Sequence, residues 1–368
     1  MSKINMNVFG DFFRNKKVLI TGTTGFKGSW LSVWLNELGA AVYGYALPPK
    51  SKIDNFVITG LEDRITQKYG DVRDLDQLIN YFTEVRPDIA FHLSAQPLVL
   101  ESYRNPQETF ATNMMGTVNF LEAVRLTGTV KATVIVTSDK CYQNNEWVWG
   151  YKETDRLGGN DPYSASKGCA ELIVNSYVKS FFSGVESCQT ATVRAGNVIG
   201  GGDWADNRIV PDFFRSMMRK EKLVLRYPFA SRPWQYVLEP LSGYLYLCAK
   251  LYRDKKQFQG AWNFGPLDSN HYTVADLINK IIDFYGEGEL EMIHKESQYH
   301  ETTMLKLDIS KAMKYLKWKP VLNFAETVQF TVSGYKDDLV GEELYSKRLE
   351  QINEFVLKAK NQSIEWTL

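Results

Sequence analysis

The sequence contains few residues of the kinds that form disulfides or bind metal ions. Only 4 cysteines and 4 histidines occur among 368 residues. The sequence has no Cys-x-x-Cys pair, and its histidines are not spaced as pairs of ligands. The cysteines are Cys141, Cys169, Cys188 and Cys248. We therefore expect reduced thiols, as is typical of a cytoplasmic protein, and no metal site.

The sequence also lacks an excess of charge and a long apolar run. Lysine plus arginine number 43, as do aspartate plus glutamate, whereas sequence-independent nucleic-acid binders usually carry a positive excess. No stretch approaches the ~20 apolar residues that cross a bilayer. The charged segment from Asp11 to Lys17 has no signal-peptide pattern. We expect a cytoplasmic protein with neither nucleic acid nor membrane as a partner.

Strand-like and helix-like segments alternate along the first half of the chain. The strand-like segments are 18–20, 41–46, 65–72, 89–93, 133–137 and 190–194. The helix-like segments are 30–38, 75–85, 113–126 and 163–182. Strands that alternate with helices usually form a parallel sheet that is covered on both faces. The pattern predicts an α/β fold with a doubly wound parallel Rossmann sheet.

The pattern changes after Ala195. Residues 197–212 are rich in Gly, Asn, Asp and Trp, and this composition indicates a loop. Helices are predicted further on, at 212–220, 239–252 and 274–285. The later part of the chain is therefore expected to be mostly helical.

The length of the chain indicates more than one domain. At 368 residues the chain exceeds the usual size of one compact core. We expect a Rossmann domain from residues 1–195 together with about 233–265. A smaller, mostly helical substrate-binding domain is expected from residues 196–232 and 266–368.

A glycine-rich turn follows the first predicted strand. It comprises Gly22, Thr23, Thr24, Gly25, Phe26, Lys27 and Gly28. Its glycines permit a tight turn and a close approach of the backbone to a pyrophosphate, and the helix that follows offers free N–H groups at its start. A glycine-rich turn alone is often an ordinary loop. The strand and helix that flank this one are those that dinucleotide binding requires.

A second group of residues carries acid–base chemistry. Tyr163 and Lys167 lie one turn apart on a predicted helix, on the same face. A tyrosine of pKa ~10 is a poor base near neutrality, but a neighbouring ammonium group and a nicotinamide ring favour the phenolate. An exposed Tyr/Lys pair is the alternative interpretation of these residues alone. Together with the glycine-rich turn and Ser138, they predict a triad that takes a proton from a hydroxyl while the cofactor takes a hydride.

The glycine spacing and the Tyr-x-x-x-Lys motif resemble those of the extended short-chain dehydrogenase/reductase family. The resemblance implies an NAD cofactor bound by Gly22, Thr24, Gly25, Phe26, Lys27, Gly28, Asp71, Val72, Tyr163 and Lys167. It places Asp71 and Val72 on the adenine and Lys167 on the nicotinamide ribose, and gives Asn113 a supporting role. The second strand ends without the acid that binds a ribose 2′-hydroxyl, and without an arginine. The residues there leave NAD and NADP both possible.

The segment Thr137-Ser138-Asp139-Lys140 is similar to the Thr-Asp-Glu element of nucleotide-sugar 4,6-dehydratases. That resemblance makes Asp139 the acid that protonates the departing C6 hydroxyl. Lys140 stands where related enzymes use a glutamate to remove the C5 proton, so we predict a closed, water-poor site in which Lys140 is that base. An aspartate that merely caps a turn is the alternative for Asp139.

Longer segments resemble the branch of these dehydratases that acts on CDP-glucose. They are residues 25–30, 140–163, 200–208 and 231–237. The resemblance implies dehydration of CDP-glucose to CDP-4-keto-6-deoxyglucose, and preference for cytosine depends on this resemblance alone. The substrate-binding residues that it implies are Asn197, Arg208, Arg232 and His300.

Two other functions are compatible with parts of the pattern. A nucleotide-sugar 4-epimerase shares the cofactor and the Tyr/Lys pair but needs no acid at Asp139. A regulator that senses the cofactor without turnover would need neither Tyr163 nor Lys167. By analogy with the family, we expect a homodimer, or a tetramer built from it.

Overall fold

A parallel sheet of 7 strands forms the centre of the fold. The structure, a computed structural model, describes residues 8–184, 187–267, 272–293 and 304–368. The strands are β1 (Lys17–Thr21), β2 (Ala41–Ala46), β3 (Thr66–Tyr69), β4 (Ile89–His92), β5 (Ala132–Val136), β6 (Gln189–Arg194), β7 (Val198–Ile199), β8 (Leu223–Leu225), β9 (Gln235–Tyr236), β10 (Gly260–Asn263) and β11 (Leu290–Met292).

Helices cover the sheet and build the later part of the chain. The α-helices are α1 (Phe26–Glu37), α2 (Asn55–Ile58), α3 (Leu75–Val85), α4 (Val99–Arg104), α5 (Pro106–Phe110), α6 (Gly116–Thr127), α7 (Pro162–Ser180), α8 (Ile209–Arg219), α9 (Leu238–Asp254), α10 (Val274–Tyr285), α11 (Phe324–Val340) and α12 (Leu344–Asn361). Short 3-10 turns occur at Phe9–Asp11, Leu61–Asp63, Asp139–Cys141, Lys255–Phe258 and Glu365–Thr367, and π-helical turns at Ala111–Met115 and Ala312–Leu316.

The strand order of the large sheet is β10-β6-β5-β4-β1-β2-β3, and every neighbouring pair is parallel. The chain winds outward from β1 in one direction and then from β4 in the other. The carboxyl ends of β1 and β4 therefore flank the crevice where doubly wound sheets bind ligands. This topology confirms the predicted fold class.

Burial on both faces explains the apolar strands. Val18, Leu19 and Ile20 of β1 are all fully buried, and each belongs to one of two apolar clusters on opposite faces of the sheet. A third cluster lies in the later part of the chain, where Phe213 and Ile278 pack together. Since helices α8, α10 and α11 contribute most of this cluster, the later part is mostly helical as expected.

The differences between the predicted and the observed elements include the end of β3, the loop 197–212 and the start of α8. Strand β3 ends at Tyr69 and not at Val72, because the Asp71 carboxylate accepts a hydrogen bond from the Arg73 backbone N–H and turns the chain. The predicted loop 197–212 contains strand β7, and α8 already begins at Ile209. Pro211 is tolerated there because it lies in the first turn of the helix.

Strand β10 was not predicted as a strand, although its residues fall within the segment assigned to the Rossmann domain. It pairs with β6 along Gly260–Asn263 and forms the edge of the large sheet. Within the part of the chain that the structure describes, no helix combines the length and the apolar character that membrane crossing requires.

Candidate active site

The glycine-rich turn connects β1 to α1 at the crevice. Gly22 has a φ of 83°, and its N–H donates to the Tyr45 carbonyl oxygen at 2.9 Å. A Cβ atom at position 28 would lie 2.0 Å from the Gly22 carbonyl oxygen, so only glycine lets the helix approach the turn this closely. No side chain among the described residues caps α1 at Gly25. The uncapped helix start and the tight cradle fit a dinucleotide pyrophosphate.

The residues predicted near the adenine lie beyond the end of β3. Asp71 forms an ion pair with Arg73 at 2.6 Å, and the hydrogen bond from Arg73 lowers the pKa of the Asp71 carboxyl. The Val72 carbonyl oxygen accepts a hydrogen bond from Asn119 at 2.9 Å. At the end of β2, the Leu47 carbonyl oxygen accepts from the Thr24 hydroxyl at 3.0 Å. These bonds hold in place the loops that follow β2 and β3, which border the crevice predicted to bind the cofactor.

Helix α7 carries the predicted catalytic pair. It begins at Pro162 with Asp161 as its cap, whose carboxylate accepts from the Ser164 N–H at 2.9 Å. Tyr163 is 8% exposed; burial raises the pKa of its phenol to about 12, while a hydrogen bond with Ser138 acts in the opposite direction. Lys167 is also buried, and its ammonium group donates to the Val136 carbonyl oxygen at 3.4 Å.

The pKa of Lys167 lies close to neutral pH. Burial, together with the nearby Lys27 ammonium, lowers the pKa of Lys167 to about 8. Since Lys27 belongs to the glycine-rich turn, the structure brings this turn and the Tyr163–Lys167 pair into one region. The glycine-rich turn and the Tyr163–Lys167 pair therefore lie in the same part of the molecule, as the predicted triad requires.

Asp139 begins a 3-10 turn directly after β5. The Ser138 hydroxyl donates to Asp139 Oδ1 at 2.9 Å and accepts from the Lys140 N–H at 3.2 Å. Asp139 is 4% exposed, so its carboxyl is buried beside the triad. Lys140 is less buried and lines a small cavity of about 50 Å³, which it shares with Tyr103 and Asp161.

Asn113 supports the start of α7 from a π-helical turn. Its side-chain amide donates to Ser166 Oγ at 2.9 Å and to the Gln96 carbonyl oxygen at 3.0 Å. The Asn113 side-chain oxygen Oδ1 accepts from the Gln96 backbone N–H at 2.8 Å. The π-helical turn Ala111–Met115 aims this side chain inward, as such bulges often do at functional sites.

Arg208 reaches the same region from the other side of the crevice. It forms an ion pair with Asp203 at 2.7 Å, and Asp203 raises the pKa of the guanidinium. Burial and the charge of Arg208 lower the pKa of Lys27 to about 8, although Asp139 acts in the opposite direction. Arg208, Lys27 and Asp139 thus lie together in one group of ionisable side chains beside Tyr163. Asp203 was not predicted, although its position in the Gly-Gly-Asp-Trp segment was a signal.

The loop that carries Asp203 is held by residues that are distant in sequence. Trp30 Nε1 donates to the Gly201 carbonyl oxygen at 3.0 Å, and the Gly202 N–H donates to Asp338 Oδ2 at 2.6 Å. Asp338 of α11 pairs with the fully buried Arg348 of α12. Helices α11 and α12 therefore fix the position of Asp203, the ion-pair partner of Arg208.

A buried ion pair lies next to the residues predicted to be catalytic and was missed in the sequence. Glu171 and Arg194 join at 2.7 Å with side chains 4% and 3% exposed. Glu171 also accepts from the Thr192 hydroxyl at 2.7 Å and from Thr137, which directly precedes Ser138. Although burial opposes ionisation, Arg194 keeps the pKa of Glu171 low. Its spacing places Glu171 one further turn along α7 beyond Tyr163 and Lys167, but this spacing does not indicate Arg194 as its partner.

Substitution of Arg194 by methionine is expected to lower the free energy of unfolding by about 3–5 kcal/mol, because it leaves the Glu171 charge buried without its partner. Urea denaturation measures the change. The matched control is Arg125→Met, which breaks an exposed pair with Glu122 at 2.6 Å and should cost far less. Equal losses in the two variants would contradict this account.

Of the other predicted substrate residues, Asn197 directly follows Gly196, whose backbone lies against the Asp139 carboxyl, whereas Arg232 lies in another cavity. The Asn197 carbonyl oxygen accepts from the Gln235 N–H at 3.2 Å, and Asn197 has a φ of 48°. Arg232 lines a separate cavity of about 340 Å³ with Trp234 and Tyr272, and none of the catalytic residues lines that cavity. His300 lies outside the described residues.

Comparison with known proteins places the chain in a family. The family described as GDP-mannose 4,6 dehydratase matches residues 19–331. A CDP-glucose 4,6-dehydratase from Salmonella typhimurium is 45% identical over 350 residues, which cover 94% of this chain and 98% of that protein.

Solved structures share the fold. A UDP-glucose 4-epimerase from Thermotoga maritima, with UDP-glucose, has a TM-score of 0.76 at 23% identity and covers 88% of this chain and 99% of its own. The Thermus thermophilus UDP-glucose 4-epimerase, in complex with NAD, has a TM-score of 0.73 at 23% identity and covers 87% and 99%. The match to the family and the similarity to the Salmonella enzyme extend over most of the sequence. The chain therefore belongs to the GDP-mannose 4,6 dehydratase family of nucleotide-sugar-modifying enzymes.

Proposed function

We propose that this protein is an NAD-dependent lyase that dehydrates CDP-glucose to CDP-4-keto-6-deoxyglucose. The observation that carries the proposal is a buried carboxyl, Asp139, that accepts a hydrogen bond from Ser138 and lies near Tyr163. An epimerase needs no such acid, because no group leaves the sugar. The choice of CDP-glucose is supported by the 45% identity to the Salmonella enzyme of that name.

NAD is the proposed cofactor. When bound, NAD supplies an acceptor for the hydride from C4 of the hexose and a donor that returns it to C6. The uncapped start of α1 and the glycines at positions 22 and 28 would hold its pyrophosphate. We propose that Asp71 and Val72 lie at the adenine and that Lys167 holds the nicotinamide ribose. Residues 1–195 with about 233–265 would form this cofactor domain, which is consistent with the pairing of β10 and β6.

Tyr163 is the proposed base for the first step. It takes the proton from the C4 hydroxyl, although burial raises the pKa of its phenol to about 12. The Ser138 hydrogen bond and the charge of Arg208 both favour the phenolate. Lys167, buried one turn along α7, adds a cation to the same region below about pH 8, since burial lowers its pKa to about that value.

Asp139 and Lys140 are proposed to complete the elimination. The 4-ketone makes the C5–H bond acidic, and Lys140 takes that proton directly or through a water molecule. Asp139 donates its proton to the C6 oxygen, the C6–O bond breaks, and water leaves with a double bond formed between C5 and C6. The sum is the loss of one water molecule, with no net oxidation of the sugar. Asp139 and Lys140 are adjacent in the chain and both contact the Ser138 hydroxyl, which donates to Asp139 Oδ1 and accepts from the Lys140 N–H.

We propose that the nucleoside diphosphate is bound by cationic side chains that take no part in the proposed acid–base steps. Arg208 would bind the diphosphate, since a guanidinium forms paired hydrogen bonds with phosphate oxygens. Asn197, Arg232 and His300 are the other proposed contacts. Residues 196–232 and 266–368 would thus form the substrate-binding domain.

A cytoplasmic homodimer, or a tetramer built from it, is the proposed assembly. Exposed apolar side chains on and beside α6 and α7 support this proposal. They are Met115 at 45%, Leu126 at 53%, Leu172 at 58% and Phe181 at 52% exposure. Exposed apolar patches of this kind often mark protein interfaces.

Comparison of turnover on CDP-, dTDP- and UDP-glucose tests the proposed function. We expect CDP-glucose to give a 4-keto-6-deoxy product that carries deuterium at C5 when the reaction is run in deuterated water. A 4-epimerised sugar without loss of water would instead establish an epimerase. Absence of turnover on all three sugars would contradict the proposal.

Substitution of Lys140 by alanine is expected to stop water elimination but to leave the first step intact. The physical reason is that Tyr163, not Lys140, deprotonates the C4 hydroxyl. Stopped-flow absorbance should therefore show reduced nicotinamide, while deuterium uptake at C5 falls by about 100-fold or more. Lys152→Ala, an exposed lysine of the same segment, is the control. Loss of nicotinamide reduction in Lys140→Ala would place Lys140 in binding and not in C5 chemistry.

A further inference from the structure

Gly196 lies directly against the carboxyl group of Asp139. A Cβ atom at position 196 would lie 1.9 Å from Asp139 Oδ2 and 2.2 Å from Cγ. Both residues are buried. The backbone of Gly196 is not among the glycines with positive φ, so its conformation does not demand glycine. Glycine is needed at 196 because the space that a side chain would occupy is filled by the carboxyl.

Gly196 is itself held in place by Gln235. The Gln235 side-chain amide donates to the Gly196 carbonyl oxygen at 2.9 Å and to the Phe264 carbonyl oxygen at 3.2 Å. The Gln235 N–H donates to the Asn197 carbonyl oxygen at 3.2 Å. Gln235 is 2% exposed, and the Phe264 N–H donates to the Arg194 carbonyl oxygen at 2.9 Å. The turn after β6 is therefore hydrogen-bonded to Gln235, Gln235 is hydrogen-bonded to Phe264, and Phe264 is hydrogen-bonded to the end of β6.

The Asp139 carboxyl is thus confined from two directions. Its Oδ1 atom accepts from the Ser138 hydroxyl at 2.9 Å, and the whole group lies against Gly196, where a Cβ atom would be 1.9 Å from Oδ2 and 2.7 Å from Oδ1. A carboxyl with one oxygen in a hydrogen bond and the other against fixed backbone has little freedom to rotate. Because the carboxyl cannot rotate freely, the direction in which it can donate a proton is fixed.

We propose that Gly196 and Gln235 are positioning residues for Asp139, and that they aim its carboxyl at the C6 oxygen of the hexose. This inference rests on the proposed function. The step that depends on them is the transfer of the Asp139 proton to the C6 oxygen as the C6–O bond breaks and the C5 proton leaves to the base. Removal of the C4 hydroxyl proton by Tyr163 does not involve the Asp139 carboxyl and is independent of them.

Substitution of Gly196 by alanine should therefore impair one step of the reaction selectively. A Cβ atom 1.9 Å from Oδ2 forces a displacement of about 1 Å or more, and a misplacement of that size can lower a rate by about 100-fold. We expect product formation to fall by about that factor, reduced nicotinamide to accumulate, and the KM for CDP-glucose to change little. A crystal structure of the variant should show the Asp139 carboxyl displaced.

Gly265→Ala is the matched control. A Cβ atom there would meet Ile309 Cγ2 at 3.7 Å and Leu307 Cβ at 3.9 Å, which are ordinary contacts. This variant tests whether the addition of a methyl group next to Phe264 is by itself enough to disturb the site. We expect wild-type turnover and no accumulation of reduced nicotinamide.

A double-mutant cycle with Asp139→Ala keeps the test informative if Gly196→Ala alone folds poorly. Without the carboxyl the clash disappears, so Asp139→Ala/Gly196→Ala should fold and match Asp139→Ala in residual turnover. A double variant that is about 10-fold or more slower than Asp139→Ala would overturn the proposal, since positions that do not interact have additive effects. Wild-type turnover in Gly196→Ala, or parallel loss of nicotinamide reduction, would also overturn it. If the wild-type protein leaves CDP-glucose unchanged, the proposed function fails instead.

Discussion

Tyr163→Phe is expected to lower turnover of CDP-glucose by about 100- to 10,000-fold, the range that general acid–base catalysis contributes. The variant loses only the oxygen that accepts the C4 hydroxyl proton. The ring stays, so the packing of this 8% exposed side chain is retained. Steady-state rates and stopped-flow absorbance measure the effect. Reduced nicotinamide should not appear, because the first step itself is blocked.

The matched control lies on the same helix. Tyr177 of α7 donates its hydroxyl hydrogen to Glu122 at 2.8 Å, away from Asp139 and Ser138. Tyr177→Phe should lose a similar hydrogen bond but keep turnover. Should Tyr163→Phe retain most of its activity, Tyr163 would not be the base. A protein that only senses the cofactor would show no turnover to lose.

Asp139→Asn is expected to cause a loss of similar size at a later step. Asparagine matches the carboxyl in shape and still accepts the Ser138 hydrogen bond, now at its amide oxygen, but it has no acidic proton to give to the C6 oxygen. We expect product formation to fall by about 100- to 10,000-fold while nicotinamide reduction continues. The reduced cofactor should then persist, because the sugar intermediate that reoxidises it is not formed.

The two variants separate the proposed steps. Tyr163→Phe should stop before nicotinamide reduction, and Asp139→Asn after it. Stopped-flow absorbance on a single turnover distinguishes the two directly. If Asp139→Asn also abolishes nicotinamide reduction, Asp139 acts in substrate binding or in the first step, and the assignment of an acid for C6 is wrong.

Elements with strong local signals could be predicted closely from the sequence. Helices α3 and α10 lie where they were predicted, at Leu75–Val85 and Val274–Tyr285. Both have a cap that the sequence encodes locally, since Asp74 and Thr273 each accept from a backbone N–H of the first turn. Strand β3 was predicted too long, because its end depends on the Asp71–Arg73 turn.

The site was predictable only where its residues belong to one contiguous motif. The turn at Gly22 and the Tyr163–Lys167 spacing are visible in the sequence. The contact of Gly196 with Asp139 and the pairing of Glu171 with Arg194 join residues from separate elements, so no local pattern indicates them. Arg232 was predicted as a substrate contact, and the fold places it in a cavity that the catalytic residues do not line.

The anchoring of the Gly201–Gly202 loop has a consequence for how the chain may be shortened. Gly202 is tied to Asp338, and Asp338 is paired with Arg348 of the last long helix. A protein cut between α11 and α12 would retain every described residue that we assign to chemistry. It would nevertheless leave Asp338 without its cation and loosen the loop that presents Asp203 to Arg208. Helix α12 therefore supports, from a distance, the loop that carries Asp203, and tags or fusions at this end should preserve it.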